Sequence, residues 1–267
     1  MEVKLIVVDM DGTLLRWDKT ISVYTKDVLA KCRDVGITIA LATARPYLNC
    51  VFRGFMEVTG AAGGVFSDGA HVMANGKEIF SKKIPHATVC GILDMLWDNK
   101  SCGRIIVDGP NGHFVNKCLK ATTDLSSYGY SPFWHTDIFR SSVQDAYEIA
   151  VELNSIPLAQ AQELAERLVA AFDDIHMTYV GGELLLITMA GVDKYSGLVR
   201  LAKHFCIDLS NVVTFGDSLN DLPMLTNIYH SVAVANAYDE AKAAARYSCP
   251  SNNEDGVARW LEENVLK

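Results

Sequence analysis

Two acidic side chains interrupt the apolar start of the chain, and they are the first candidates for chemistry. Asp9 and Asp11 follow Leu5–Val8, an apolar run that is typical of a strand buried on both faces of a parallel sheet. Ligands bind at the carboxyl ends of strands in open α/β sheets. Because side chains two residues apart on extended backbone point to one side, both carboxylates are predicted to face one site. An ordinary polar turn is the alternative, since Asp-Gly is common in turns.

A second acidic group follows a later apolar run, in the stretch VVTFGDSLND at residues 212–221. Asp217 closes this predicted strand, and Asn220 and Asp221 fall on the same side of the helical turn that follows. The alternative is an N-cap aspartate with polar residues in the first turn. Carboxylates at one sheet edge repel by roughly 4 kcal/mol per pair at about 4 Å and an effective dielectric near 20, so we expect a cation among them. Oxygen ligands without His or Cys favour Mg²⁺.

Three further side chains have types that suit phosphoryl chemistry. Thr43 and Arg45 end the stretch ITIALATAR and offer a hydroxyl donor and a cation, although a helix cap and a surface arginine would look the same. Lys194 stands at a predicted helix start, where a cation opposes the helix macrodipole. This mild misfit favours a function for Lys194, whereas a solvated surface lysine is the alternative.

Strands alternate with helical stretches over residues 1–80 and again after Val192, and this alternation predicts a parallel sheet in an α/β fold. Residues 86–189 differ, because strands and hairpin turns dominate there, as at Asn111-Gly112, and we interpret them as an α+β insertion. The clearest predicted elements are strands over 5–9, 37–42, 212–215 and 232–234 and helices over 24–35, 158–172 and 194–205.

Composition excludes several classes of protein. The 267 residues are 49% hydrophobic and 21% charged, and no apolar run approaches the roughly 18 residues of a membrane span. A net charge of −8 argues against nucleic acid or an anionic membrane as partner. Seven scattered cysteines favour reduced thiols, and an N-terminus that leads directly into a strand predicts a cytoplasmic protein.

Four stretches of the chain resemble, in the same order, the four motifs of the haloacid dehalogenase superfamily. They are Asp9-Met10-Asp11-Gly12-Thr13, Thr43, Lys194 and Gly216-Asp217-Ser218-Leu219-Asn220-Asp221. The insertion and the C-terminal stretch from residue 232 resemble its Cof-type phosphatases, which carry a large α+β cap of the C2B type. The resemblance covers nearly the whole chain. It implies a Rossmann-like core over residues 1–82 and 188–267, an inserted cap over 83–187, and Mg²⁺-dependent hydrolysis of phosphate monoesters through an aspartyl-phosphate.

The resemblance also implies catalytic roles. Asp9 would be the nucleophile and Asp11 the general acid and base, with like-charge neighbours raising the pKa of Asp11. Thr43 would hold the phosphoryl oxygens, and Lys194 would neutralise charge near Asp9.

Metal and substrate ligands are implied in the same way. Asp9, Asp217 and the backbone carbonyl of Asp11 would ligate Mg²⁺, with Asp221 supporting the water shell of the metal site. Arg45 and Asn220 would help to bind the phosphoryl group.

The chain departs from the family pattern at three places, where Thr43-Ala44-Arg45 replaces Thr-Gly-Arg, Asp68-Gly69-Ala70 replaces Asn-Gly-Ala, and Tyr195 replaces a frequent Gly. The expected partner is a small phosphorylated metabolite such as a sugar phosphate, and the chain is expected to act as a monomer. A phosphomutase and a receiver-like phospho-acceptor module are the alternatives.

The aromatic residues Tyr128, Tyr130, Phe133 and Trp134 could line a substrate pocket, although aromatic clusters also pack in cores.

Overall fold

The computed structural model describes residues 2–115, 134–135, 143–154, 156–180 and 184–267. Tyr128, Tyr130 and Phe133 lie outside the described residues. The chain divides into two compact units, a first unit of Met1–Phe80 and Asp193–Lys267 and a second unit of Ser81–Val192. The first unit is therefore built from two separate stretches of sequence, whereas the second is one continuous stretch.

The strands fall into two sheets. In chain order they are β1 Leu5–Val8, β2 Thr38–Ala42, β3 Gly63–Phe66, β4 His71–Ala74, β5 Lys77–Ser81, β6 Cys102–Gly109, β7 Gly112–Val115, β8 Trp134–His135, β9 Glu148–Leu153, β10 Ile175–Val180, β11 Leu184–Met189, β12 Val212–Gly216, β13 His230–Val234 and β14 Tyr247–Cys249. Among the described residues, one sheet has the order β14-β13-β12-β1-β2-β3-β4-β5 and the other β10-β11-β9-β6-β7-β8.

Helices of the described residues connect these strands. Their bounds are α1 Val23–Asp34, α2 Tyr47–Phe52, α3 Phe55–Thr59, α4 His86–Leu96, α5 Leu158–Ala171, α6 Lys194–His204, α7 Leu222–Asn227, α8 Asp239–Ala244 and α9 Gly256–Asn264. Capping explains two of the boundaries that matter most. Ser22 accepts a hydrogen bond from the Thr25 backbone at the start of α1, and Asp193 and Ser196 form a reciprocal capping box at the start of α6.

The first unit contains the predicted parallel sheet. β1 pairs in parallel with β12 on one side and with β2 on the other, and every residue of β1 is fully buried. This burial explains why its sequence shows no polar alternation. β3 and β4 pair antiparallel, and Asn75 and Gly76 between β4 and β5 both have positive φ, as a tight two-residue hairpin turn requires.

The second unit is α+β. β6, β9, β10 and β11 pair antiparallel, and the unit has its own apolar core, to which α4 and α5 contribute. The predicted α/β fold with an α+β insertion is confirmed. Within the described parts of the chain, no helix combines the length and the apolar character needed to cross a bilayer. The described cysteines are all free thiols.

Replacing Phe215 by Ala tests the core of the first unit. Phe215 is fully buried in β12, and its ring lies 5.4 Å from the ring of Trp260 in an edge-to-face arrangement. We expect Phe215→Ala to lower the free energy of unfolding by about 3–5 kcal/mol, because it leaves a cavity beside Trp260. Phe52, which is 53% exposed, is the matched control, and Phe52→Ala should change this free energy by no more than about 0.5 kcal/mol. Urea titration followed by tryptophan fluorescence measures both, and equal losses would contradict this account of the core.

Candidate active site

Three adjacent strands of the first sheet end in polar side chains. Asp9 follows β1, Thr43 follows β2 and Asp217 follows β12, and β1 lies between the other two strands. All three residues are buried. Because parallel strands end at the same sheet edge, the fold brings together residues that lie more than two hundred positions apart in sequence.

Lys194 is the central cation of this site. Its side chain is buried, and its Nζ donates to Asp9 Oδ1 at 2.7 Å and to Asp221 Oδ1 at 2.6 Å. Burial alone would lower the pKa of Lys194, but the charges of Asp221 and Asp9 outweigh it and raise the pKa well above its ordinary value. Lys194 is therefore a permanently charged bridge between two carboxylates, which explains the unfavourable cation at the first position of α6.

Asp9, Asp217 and Asp221 form a compact carboxylate cluster, in which one oxygen of each lies within 4.8 Å of the others. Burial raises the pKa of Asp9, and the charges of Asp221 and Asp217 add to the rise while Lys194 opposes it. Burial, together with Asp221, also raises the pKa of Asp217 to about 6, although Thr13 donates a hydrogen bond to its Oδ1 at 2.7 Å. Three carboxylates with one lysine leave the cluster short of positive charge, and their hard oxygen atoms suit a divalent cation such as Mg²⁺.

Close backbone approach fixes the geometry of the cluster. Gly12 has φ of +86°, and a Cβ at this position would lie 2.4 Å from Asp217 Oδ2, so a larger residue would displace the carboxylate. Asp221 Oδ2 accepts hydrogen bonds from the backbone N–H groups of Asp217 and Ser218 at 2.9 and 3.0 Å. The turn after β12 thus holds Asp221 in place independently of Lys194.

The loop after β1 is also tied to the C-terminal part of the chain. Asn236 Nδ2 donates to the carbonyl oxygen of Gly12 at 2.7 Å, and Asn252 Nδ2 donates to that of Leu15 at 2.8 Å. The two asparagines are linked, because Asn252 N donates to Asn236 Oδ1 at 2.9 Å. Sequence reasoning assigned neither asparagine a role, although Asn236 follows β13 by two residues and Asn252 follows β14 by three.

Asp11 has different surroundings from Asp9. Arg45 binds it through two hydrogen bonds, from Nε to Oδ2 at 2.5 Å and from Nη2 to Oδ1 at 2.8 Å, and Lys19 Nζ donates to Oδ1 at 2.8 Å. Burial would raise the pKa of Asp11, but the hydrogen bonds and charges of Arg45 and Lys19 lower it well below its ordinary value. The expectation that neighbouring carboxylates raise the pKa of Asp11 is therefore wrong, because the nearest charged groups are cations.

The remaining predicted residues also lie near strand ends. Thr43 Oγ1 accepts from the backbone N–H of Arg45 at 3.1 Å, and Asn220 Nδ2 donates to Asp68 Oδ1 at 3.0 Å. Asp68 and Lys19 are thus direct neighbours of predicted site residues, yet sequence reasoning gave neither of them a role. The only signal was that Asp68 stands where the resemblance leads one to expect Asn.

The chain is similar to known proteins over nearly its whole length. A family model described as haloacid dehalogenase-like hydrolase matches residues 6–261. The 5-amino-6-(5-phospho-D-ribitylamino)uracil phosphatase YbjI of Escherichia coli K12 is 28% identical over 272 residues, which cover 100% of this chain and 97% of that protein. An HMP-PP phosphatase of Yersinia pseudotuberculosis is 24% identical over 90% of this chain and 86% of its own.

A solved structure shares the fold over nearly the whole length. The crystal structure of a haloacid dehalogenase-like hydrolase from Bacteroides thetaiotaomicron superposes with a TM-score of 0.84 and 21% identity, over 98% of this chain and 99% of that one. The family match, which spans almost the entire chain, confirms the resemblance carried by the four motifs. The protein is an enzyme that belongs to the haloacid dehalogenase-like hydrolases.

Proposed function

We propose that this enzyme is an Mg²⁺-dependent phosphatase that hydrolyses small phosphate monoesters through an aspartyl-phosphate on Asp9. The observation that carries the proposal is the buried bridge of Lys194 between Asp9 and Asp221, next to Asp217. A nucleophilic carboxylate at the end of β1 has to stay ionised while a negatively charged phosphoryl group approaches it. Lys194 supplies a fixed positive charge for that purpose.

The carboxylate cluster is the proposed metal site. Asp9, Asp217 and the backbone carbonyl of Asp11 would hold Mg²⁺, and Asp221 would support its water shell. The raised pKa values of Asp9 and Asp217 support this assignment, because both indicate that the cluster needs more positive charge than Lys194 provides. When bound, Mg²⁺ would offset the charge of the carboxylates and of the transferring phosphoryl oxygens.

In the first step of the proposed reaction, a carboxylate oxygen of Asp9 attacks phosphorus. The bond from phosphorus to the leaving oxygen breaks, and Asp11 gives its proton to that oxygen. In the second step, water attacks phosphorus, Asp11 takes the water proton, and the bond to Asp9 breaks to release phosphate. Thr43 and Asn220 hold the phosphoryl oxygens through hydrogen bonds in both steps.

Arg45 has to change partners during this reaction. Without substrate its guanidinium is paired with Asp11, which holds that carboxyl ionised. A phosphoryl dianion offers Arg45 a stronger partner than a single carboxylate, since guanidinium binds phosphate in the same forked geometry. Movement of Arg45 to the substrate would remove its lowering effect on the pKa of Asp11 and so favour the protonated form that the leaving oxygen needs.

The proposed substrates are small phosphate esters of sugars or of similar polyhydroxylated compounds. The name of the Escherichia coli relative, a phosphatase of a phosphoribitylamino-uracil, supports a substrate of this size and type. The names of the relatives do not favour a phosphomutase or a receiver-like module. We also propose that the second unit is the cap domain of this family. Action as a cytoplasmic monomer stays a prediction.

A panel of phosphate esters tests the function directly. We expect Mg²⁺-dependent release of inorganic phosphate from sugar or sugar-alcohol phosphates, and conversion of one ester into its positional isomer would instead indicate a phosphomutase. Asp9→Asn should lower turnover at least about 1,000-fold while preserving the fold, because an amide cannot act as the nucleophile.

The matched control for this substitution is Asp27→Asn, which makes the same chemical change at an exposed position of α1 and should leave turnover unaltered. Circular dichroism and urea unfolding verify that both variants are folded. Wild-type turnover by purified Asp9→Asn protein would exclude the aspartyl-phosphate mechanism.

Removal of divalent cations gives a second prediction. A chelator should stop phosphate release and excess Mg²⁺ should restore it, whereas Ca²⁺ should substitute poorly because it prefers longer bonds and more ligands than two carboxylates and a carbonyl provide. Phosphate release at increasing concentrations of each cation measures the effect. Full activity in chelator-treated buffer would refute the proposed metal site.

Asp217→Asn gives a third prediction, on the pH dependence of stability. The pKa of Asp217 is about 6 in the folded protein against an ordinary value of 3.8, so between these pH values the folded metal-free protein binds more protons than the unfolded chain. Its free energy of unfolding should therefore fall as pH rises through this window. At pH 7.5 the metal-free variant should be more stable than wild type by up to about 3 kcal/mol, at about 1.4 kcal/mol per pKa unit.

Mg²⁺ should reverse this order. It should raise the unfolding temperature of the wild-type protein and change that of Asp217→Asn much less, since the variant lacks a proposed ligand. Thermal unfolding between pH 5 and 8, with and without Mg²⁺, measures both effects, and Asp27→Asn again serves as the exposed control. A metal-free Asp217→Asn protein that is less stable than wild type at pH 7.5 would show that the cluster is not short of positive charge.

A further inference from the structure

The turn after β3 has an unusual backbone conformation. Ser67, Asp68 and Gly69 have successive φ values of +46°, +48° and +102°. Left-handed backbone at a residue other than glycine costs of order 1–3 kcal/mol, and such conformations persist only where the surrounding structure enforces them. Here the turn is enforced by packing, because a Cβ on Gly69 would lie 2.2 Å from the carbonyl oxygen of Asp193. The turn is thus pressed against the residue that precedes Lys194.

The same turn contacts two other parts of the site. The backbone N–H of Ser67 donates to the carbonyl oxygen of Arg45 at 3.2 Å, and that of Asp68 donates to the carbonyl oxygen of Thr43 at 3.3 Å. The Asp68 side chain is buried, and its Oδ1 accepts from Asn220 Nδ2 at 3.0 Å. Asp68 therefore lies where the segments that carry Thr43, Lys194 and Asn220 meet.

The chemistry of the Asp68 side chain restricts the orientation of its partner. An ionised carboxylate only accepts hydrogen bonds, whereas a carboxamide both donates and accepts. Asn220 can satisfy Asp68 only with its NH₂ group, and one hydrogen of that group then remains for another acceptor. An asparagine at position 68 would accept from Asn220 in one orientation and donate to it in the other, so the amide of Asn220 would have two orientations of similar energy.

We propose that Asp68 is a positioning residue that fixes the side-chain amide of Asn220 with its NH₂ group turned toward the phosphoryl oxygens. This inference rests on the proposed function, because it assigns the second hydrogen of Asn220 to the substrate. It gives a role to a residue in which this chain differs from the family pattern. The alternative is that Asp68 serves only as a further negative charge near Lys194.

A comparison of two substitutions separates these roles. Asp68→Asn and Asp68→Gly remove the same charge. Asn at position 68 still accepts from the NH₂ group of Asn220 in one of the two orientations of that amide, whereas Gly leaves Asn220 without this partner in either orientation. Glycine suits the left-handed backbone at position 68, so Asp68→Gly removes the side chain and relieves backbone strain rather than adding it. The readout is the dissociation constant of inorganic phosphate in the presence of Mg²⁺, measured by isothermal titration calorimetry, which requires no turnover.

We expect Asp68→Gly to bind phosphate about 10-fold more weakly than Asp68→Asn, with kcat/KM for the best ester falling in parallel. In an Asn220→Ala background the same two substitutions should bind phosphate equally, because the amide that they orient is gone. If the ratio of phosphate dissociation constants between Asp68→Gly and Asp68→Asn were the same with Asn220 and with Ala at position 220, the proposal would be overturned. Asp68 would then act through the backbone of its turn or through Lys194. The proposal would also be overturned if Asp68→Gly and Asp68→Asn bound phosphate with the same affinity in the protein that retains Asn220.

Two measurements keep this test distinct from that of the proposed function. Urea unfolding of every variant identifies a loss of affinity that follows from a loss of structure. A wild-type protein that binds phosphate but hydrolyses no ester would contradict the proposed function alone, and the comparison at position 68 would still decide the role of Asp68. A wild-type protein that does not bind phosphate in the presence of Mg²⁺ would overturn both.

Discussion

The buried ammonium of Lys194 is the interaction on which the rest of the site depends. An unpaired charge in a protein interior costs several kcal/mol, so Lys194 requires both Asp9 and Asp221 as partners, and they in turn require Lys194. The three residues come from the end of β1, the turn after β12 and the start of α6. The pairing of β1 with β12 and the capping of α6 by Asp193 are therefore conditions for the assembly of this charge cluster as well as features of the fold.

Two aspartates that are two residues apart have opposite environments. Burial and the charges of neighbouring carboxylates raise the pKa of Asp9, whereas Arg45 and Lys19 outweigh the effect of burial at Asp11 and lower its pKa. A single short loop thus holds one carboxylate that its surroundings favour in the protonated form and another that its cations keep ionised.

Much of the first unit follows from sequence, because its central strands are mostly apolar runs and α1 and α6 have side-chain caps. The helix predicted over residues 24–35 is α1, Val23–Asp34, and the strand predicted over 212–215 is β12. The three residues of β14 show no periodicity of their own, and their pairing with β13 depends on tertiary contacts. Tertiary contacts also explain why the pKa shift of Asp11 was predicted in the wrong direction. No local sequence pattern reveals that Lys19, which has left-handed backbone, reaches back to bind Asp11.

The strand order also has a consequence for the time at which the site comes into existence. β1 ends at Val8, but its neighbour β12 begins at residue 212, and the asparagine that supports the loop after β1 through Leu15 is residue 252, so these partners are synthesised more than two hundred residues apart. The second unit is continuous in sequence and can fold while the chain is still being made. The clustered carboxylates, in contrast, can meet only after Asp221 has been synthesised. The nascent chain carries Asp9 without its counter-charge until Lys194 has been added 185 residues later, and contacts of such long sequence separation favour slower folding of the first unit.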